Sequence, residues 1–179
     1  LMGLLADLRE SDTEAAPEDK SIISAAAEAI DRLNQKYGGG FYLFTRSRTL
    51  DDGRGKYSGF ERKRGALLEL AKLLCGQDSS LSTNSGDGTI LRSARYILTL
   101  DSDTVPSPGS VSELIGAMLH PMNTPVLDRK HGLVTSGHGI IHPRMCTSLH
   151  SASATDFARI FAGGGGLEPY GALCGEVGM

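Results

Sequence analysis

The sequence predicts an α/β protein with a mostly parallel sheet flanked by helices. Three observations carry this. Short apolar runs rich in β-formers alternate with stretches whose apolar residues recur every three or four positions, the order expected of βαβ units. The clearest run, Tyr96-Ile97-Leu98-Thr99-Leu100, ends in Asp101-Ser102-Asp103, as strands often do where a site lies beyond their carboxyl ends. Hydrophobic residues make up 40% of the 179 positions and charged residues 22%, so the chain can bury the core of one ordinary domain. Crossovers between parallel strands should be right-handed.

Taken in order, Gly3-Leu4-Leu5-Ala6 is a short apolar run ending at Asp7 and reads as a buried strand cut close at its start. With nothing ahead of it to pair, the chain is expected to begin inside a larger protein. An acid-rich loop follows over residues 9–18. Pro17 suits a first helical position, and Glu18 and Asp19 suit the positive end of a helix dipole. Ile22, Ala26, Ala29 with Ile30, and Leu33 then form an amphipathic stripe, closed by Gly38-Gly39-Gly40. Phe41-Tyr42-Leu43-Phe44 reads as a strand. Residues 45–59 read as a long polar loop carrying Arg46, Arg48, Arg54 and Lys56.

Glu61-Arg62-Lys63-Arg64-Gly65 opens a second helix with Leu67, Leu70 (with Ala71) and Leu74 on its apolar side. Residues 77–90, rich in Ser, Asn, Gly and Asp, are expected to be a flexible loop. The strand at 96–100 is ended by Pro106 and Pro108. Ser110-Val111-Ser112-Glu113 has the capping-box pattern and starts a third helix, running to about His120. Residues 133–137 and 139–141 read as strands. Residues 152–161 read as a helix with Phe157, Ile160 and Phe161 on one side, ended by the turn Gly163 to Gly166. No element is assigned from Leu167 to Met179, and no internal repeat is seen.

Composition excludes several classes. The net charge of −3, from 18 basic and 21 acidic residues, disfavours nucleic acid as a partner. No apolar run approaches the roughly 20 residues that span a bilayer, and the apolar start is far too short for a signal peptide. Cys75, Cys146 and Cys174 form no CxxC pair and read as free thiols in a reducing compartment. His138 and His142 stand four apart, but Gly137, Gly139 and Pro143 argue against the helix that would make them a metal pair, so the histidines read as structural or surface groups. No GxSxG elbow supports a nucleophilic serine. The glycine run at 163–166 lacks the GK[ST] ending of a phosphate-binding loop.

Two acid-ended strands remain, at Asp7 and at Asp101-Ser102-Asp103. Two carboxylates two positions apart on backbone leaving a strand can converge on a hard cation, Mg²⁺ or Mn²⁺, that shares its shell with a phosphate. A diphosphate leaving group needs that neutralisation as its bond to sugar breaks. The plainer alternative is a polar turn with Asp103 as a cap. Arg62-Lys63-Arg64 sits at a helix start, where cations oppose the dipole and an anion is welcome, so it reads as a diphosphate contact or else a solvated face. The reading requires positions 7, 101 and 103 to gather in one cleft. The alternatives are a non-catalytic binding or scaffold module, its acids serving as caps and turns, and a metal-dependent phosphoryl-transfer enzyme, whose nucleophilic first Asp has no convincing Lys and Ser/Thr partners here.

Several segments together resemble the cyclic β-1,2-glucan synthases. Tyr57-Ser58-Gly59-Phe60-Glu61-Arg62-Lys63-Arg64-Gly65-Ala66-Leu67 is similar to their Gly-Trp-Glu-Arg-Lys-Arg-Gly segment, with Phe60 for the Trp. The residues from Tyr96 to Thr104 are similar to their DxD strand. His120-Pro121-Met122-Asn123-Thr124-Pro125-Val126-Leu127-Asp128 and Gly137-His138-Gly139-Ile140-Ile141-His142-Pro143-Arg144 match in order and spacing, though His142 stands where Gln is expected. Gly175-Glu176-Val177-Gly178 follows the family's Gly-Glu-Gly run only in part.

The resemblance implies a piece of a GT-A-like glycosyltransferase domain over residues 1–179, holding the donor side. It implies inverting, metal-assisted transfer of glucose from UDP-glucose to a growing β-1,2-glucan, with Mn²⁺ or Mg²⁺ as cofactor. It places the membrane-embedded parent protein's transferase region at the cytoplasmic face of the bacterial inner membrane. By the same resemblance Asp7 lies near the uridine, Asp101 faces sugar or ribose, Asp103 (with Asp101) holds the metal, and Lys63 and Arg64 lie near the diphosphate. The catalytic base and the Arg/Trp-rich acceptor motif are expected beyond Met179, so no catalytic residue is expected within the chain and the isolated piece should not turn over. An incomplete sheet could also dimerise through an open edge.

Overall fold

The computed structural model describes residues 1–51, 53–143 and 148–161. Cys146, Cys174, Arg144, the His150 side chain and the glycine-containing segments 163–166 and 175–178 lie outside the described residues. The chain divides into two compact units, Leu1–Thr99 and Leu100–Met179.

The first unit is built on a three-stranded sheet. β1 (Met2–Asp7) runs parallel to β2 (Phe41–Arg46), and β5 (Leu81–Ser85) pairs antiparallel on the other side of β2. Helix α1 (Asp19–Tyr37) makes the crossover from β1 to β2. It ends where Gly38 adopts a left-handed conformation, φ 80°, and donates its N–H to the Asn34 carbonyl. The Asn34 side chain then reaches Phe41, accepting from its N–H and donating to its carbonyl, both at 2.9 Å. That pair fixes where β2 begins. The apolar stripe of α1 is turned slightly from the expected one: Ile30 is buried, whereas Ile22 is exposed.

β2 is buried along nearly its whole length, and its alternation loads both faces. Tyr42 and Phe44 stack at 6.0 Å on one face, and with Leu81 and Leu91 they form the core cluster. Leu70, Leu73 and Leu74 of α2 (Arg62–Leu74) pack onto it, so the inward stripe of this helix differs from the expected Leu67, Leu70, Leu74 set. Gly3 matters to this packing, because a Cβ there would lie 2.9 Å from the Phe44 ring. Each fully buried side chain of this size contributes about 1.5–3 kcal/mol.

Several expectations are corrected. The polar loop at 45–59 contains the end of β2 and the hairpin of β3 (Thr49–Asp51) and β4 (Lys56–Ser58). Residues 77–90 carry β5 and the start of the short helix α3 (Gly88–Leu91) rather than a bare loop. The sheet is not mostly parallel: β1–β2 is the one parallel pair among the described residues, and β2–β5, β3–β4 and the pair of Val126–Asp128 with Leu133–Ser136 are antiparallel. The largest departure is at 96–100, where the most β-prone run in the sequence forms no strand, and Tyr96, Ile97, Leu98 and Leu100 are roughly half exposed. β-propensity expresses fit to a neighbouring strand, and none pairs with this run.

In the second unit, α4 (Ser110–Leu119) starts from Gly109 in a left-handed conformation, and no side chain caps it. The expected capping box does not form, because the Ser110 hydroxyl donates back to the Ser107 carbonyl at 2.7 Å. β6 (Val126–Asp128) and β7 (Leu133–Ser136) make a hairpin, while 139–141 forms no strand. The helix expected at 152–161 is split into α5 (Leu149–Ser153) and α6 (Asp156–Phe161). Among the described residues no helix is long and apolar enough to cross a membrane.

Candidate functional site

Asp7 and Arg46 end the parallel strands β1 and β2 and are partners in their register. Their side chains meet as a two-pronged ion pair, with Arg46 Nε donating to Asp7 Oδ1 at 2.9 Å and Nη2 to Oδ2 at 2.6 Å. Arg46 is nearly inaccessible, at 3% side-chain exposure, while Asp7 retains 30%. The guanidinium has two further bonds, from Nη1 to the Phe60 carbonyl at 2.8 Å and from Nη2 to the Arg62 carbonyl at 2.9 Å. A buried guanidinium needs such partners on every edge, and here a loop supplies them.

The segment that supplies them is the one resembling the glucan synthases. Glu61 and Arg62 have φ of 52° and 47°, the left-handed region that side chains rarely adopt. Such residues cost on the order of 1–3 kcal/mol each and persist only where surroundings fix them. Arg46 fixes these, since the carbonyls flanking the turn both point at it. Gly59 and Gly65 make room: a Cβ on Gly59 would lie 2.8 Å from Asp7 Oδ2, and one on Gly65 would lie 2.6 Å from Arg46 Nη1. The two glycines are therefore a consequence of the buried arginine.

Lys63 and Arg64 follow this turn and, with Leu67 and Leu68, line a shallow groove of about 400 Å³. Arg64 is ion-paired to Glu61 and stays largely exposed. On the other side of the turn a cleft of about 450 Å³ is bordered by Arg46, Thr49, Leu50, Phe60, Glu69 and Lys72. Glu69 accepts from Lys72 Nζ at 2.6 Å and from the Ser80 N–H at 2.6 Å, and these bonds hold its carboxyl down at about 2.

A second buried arginine stands two residues beyond the first. Arg48 grips Asp19 through Nη1 and Nη2, at 2.5 and 2.8 Å, and donates to the carbonyls of Arg9 and Glu14. Its guanidinium holds the Asp19 carboxyl below the usual range and is itself raised. This clamp ties the 9–18 loop to the sheet and the start of α1.

In the second unit, Asp101-Ser102-Asp103 lies exposed on a turn closed by the Thr104 N–H donating to the Asp101 carbonyl at 3.0 Å. Two carboxylates on such a turn are hard oxygen donors that fit part of a Mg²⁺ or Mn²⁺ shell. Among the described residues no group of three His, Cys, Asp or Glu side chains gathers to hold a metal. In the β6–β7 turn Asp128 meets His131 Nδ1 at 2.6 Å and accepts from the Lys130 N–H, and these bonds lower its carboxyl.

Of the expected site residues, Asp7, Lys63 and Arg64 fall in the first unit and Asp101 and Asp103 in the second. Sequence reasoning missed Arg46 and placed it in a polar loop. The signal was present: two strands of equal length end in opposite charges, and two glycines bracket the basic turn.

No family model matches the chain. Among curated proteins it is similar to a glucan synthase. The match is to cyclic beta-(1,2)-glucan synthase NdvB of Rhizobium meliloti (strain 1021), at 36% identity over 172 residues. It covers 93% of this chain and 6% of that protein, so the chain corresponds to a small piece of its length. The likeness seen in separate motifs is thus a likeness of nearly the whole chain to one segment of that synthase.

Proposed function

We propose that the chain is part of the glycosyltransferase region of a cyclic β-1,2-glucan synthase and carries donor-side chemistry of a GT-A-like domain. The supporting observation is the 36% identity over 93% of the chain, a span long enough to take in both the basic turn and the DxD segment. In this reading the parent protein transfers glucose from UDP-glucose to a growing glucan with inversion, at the cytoplasmic face of a bacterial inner membrane. Asp7 would lie near the uridine, and the cations Lys63 and Arg64 would lie near the diphosphate. The Asp101 and Asp103 carboxylates would hold Mn²⁺ or Mg²⁺. When bound, that cation stabilises the negative charge of departing UDP. No general base is assigned among the described residues, and inversion requires one, so the piece alone is expected to bind without turnover.

Calorimetry with UDP and Mn²⁺ tests the reading. Weak binding that needs the cation, and that is lost in Asp103→Ala, is the expected result. A folded sample that takes up no UDP, indistinguishable from Asp103→Ala, would count against it. One observation favours a second reading, a non-catalytic module: both Asp7 oxygens are already engaged by Arg46. The same titration separates the two.

A further inference from the structure

We infer that Arg46 is a positioning residue, whose buried guanidinium uses Asp7 as its anchor to hold the basic turn bearing Lys63 and Arg64 in the shape that meets a diphosphate. The inference rests on the donor reading above and specifies how the first unit would serve it. It also gives Asp7 a different task from the uridine contact expected from the resemblance.

The argument is geometric. Arg46 donates four hydrogen bonds, two to Asp7 and one each to the carbonyls of Phe60 and Arg62. Those carbonyls bracket Glu61 and precede Lys63, and Glu61 and Arg62 are the two non-glycine residues with positive φ among the described residues. An unsupported chain would relax out of that conformation. A helix start whose first residues include Arg62, Lys63 and Arg64 also opposes its own dipole, a cost that an anion at that place would offset. The turn is thus held in an unfavourable backbone shape by the Arg46 guanidinium together with its own closing bond, from the Arg62 N–H to the Gly59 carbonyl at 3.0 Å. Lysine cannot replace it, since a single ammonium has no planar fork to reach a carboxylate and two carbonyls together.

Arg48 supplies a matched control, because it is equally buried and equally forked on Asp19 but ties down a different loop. Affinities for UDP and for uridine, each with Mn²⁺, are measured on the 179-residue chain as wild type, Arg46→Lys and Arg48→Lys, below every variant's melting temperature. Arg46→Lys is expected to lower UDP affinity about tenfold while uridine affinity changes by less than about twofold, since misplacement of a binding group is felt where that group acts. Arg48→Lys is expected to leave the UDP-to-uridine ratio unchanged. Gly59→Ala is the second variant: its methyl would push on the Asp7–Arg46 pair without removing either charge, and it should shift the ratio in the same direction. An unchanged ratio in a folded Arg46→Lys or Gly59→Ala, with the wild type binding UDP, overturns the inference and leaves the donor reading intact. A wild type that does not bind UDP overturns both.

Discussion

The two units put similar apolar content to different use. In the first, β2 has a neighbour on each edge, and Tyr42, Leu43 and Phe44 are all but inaccessible. In the second, β6 and β7 pair only with each other among the described residues, and Val126, Leu127, Leu133 and Val134 are roughly half exposed or more. Among the described residues every buried side chain belongs to the first unit, and α4 buries none. Burial therefore follows from partners, not from hydrophobicity: a hairpin alone has no second layer to cover it, whereas a strand with two neighbours and packed helices is covered on both faces. Residues 96–100, at the boundary between the units, make the same point, being strongly β-prone yet forming no strand.

The comparison can be broken by substitution. The largest effect is expected at Leu43→Ala, about 2–5 kcal/mol of lost stability by urea unfolding, because it empties a fully packed site. Leu127→Ala should cost under about 0.5 kcal/mol, as for other exposed positions. A loss at Leu127 comparable to that at Leu43 would end the contrast.

The helical glycines sharpen it with opposite signs. Gly65 of α2 has the Phe60 carbonyl and Arg46 in the place a methyl would take, so Gly65→Ala should destabilise by about 1–3 kcal/mol. Gly116 of α4 has nothing within 4 Å of that place, so Gly116→Ala should stabilise by up to about 1 kcal/mol through helix propensity. Thermal melts of both variants measure the signs directly.

Acid should separate the units by a smaller margin. Glu69 has a folded value of about 2 against an ordinary 4.5, so its contribution is fully present above about 4.5 and is lost as pH falls toward 2. Glu69→Gln should flatten the first unit's stability over that window. Asp128 is lowered as well, which gives the same sign, but its pair with His131 lies at the surface and Asp128→Asn should move the acid limb less. Equal shifts in the two variants, followed by circular dichroism against pH, would remove the distinction.

Much of the fold was legible where the chain's own neighbours decide it. The 19-residue helix α1 with its glycine stop, the strand starting at Phe41 and the helix opening after Glu61 depend on local periodicity and turn chemistry. β5 was not legible, since Leu81-Ser82-Thr83-Asn84-Ser85 has a loop's composition and becomes a strand by pairing with β2. The basic segment was legible as the start of a helix, but the part Arg46 plays was not, because its partners lie 39 positions before it and 14 and 16 after it.

The sequence by itself determined the local elements, the acidic and basic clusters that could serve a nucleotide diphosphate, and the likeness to a glucan synthase segment. Only the tertiary structure decided that Asp7 is bound to an arginine, that Gly59 and Gly65 exist to admit it, and that the most β-prone run forms no strand. The reason is range. Periodicity and capping act within a few residues, whereas a buried charge and a strand edge take their partners from wherever the fold brings them.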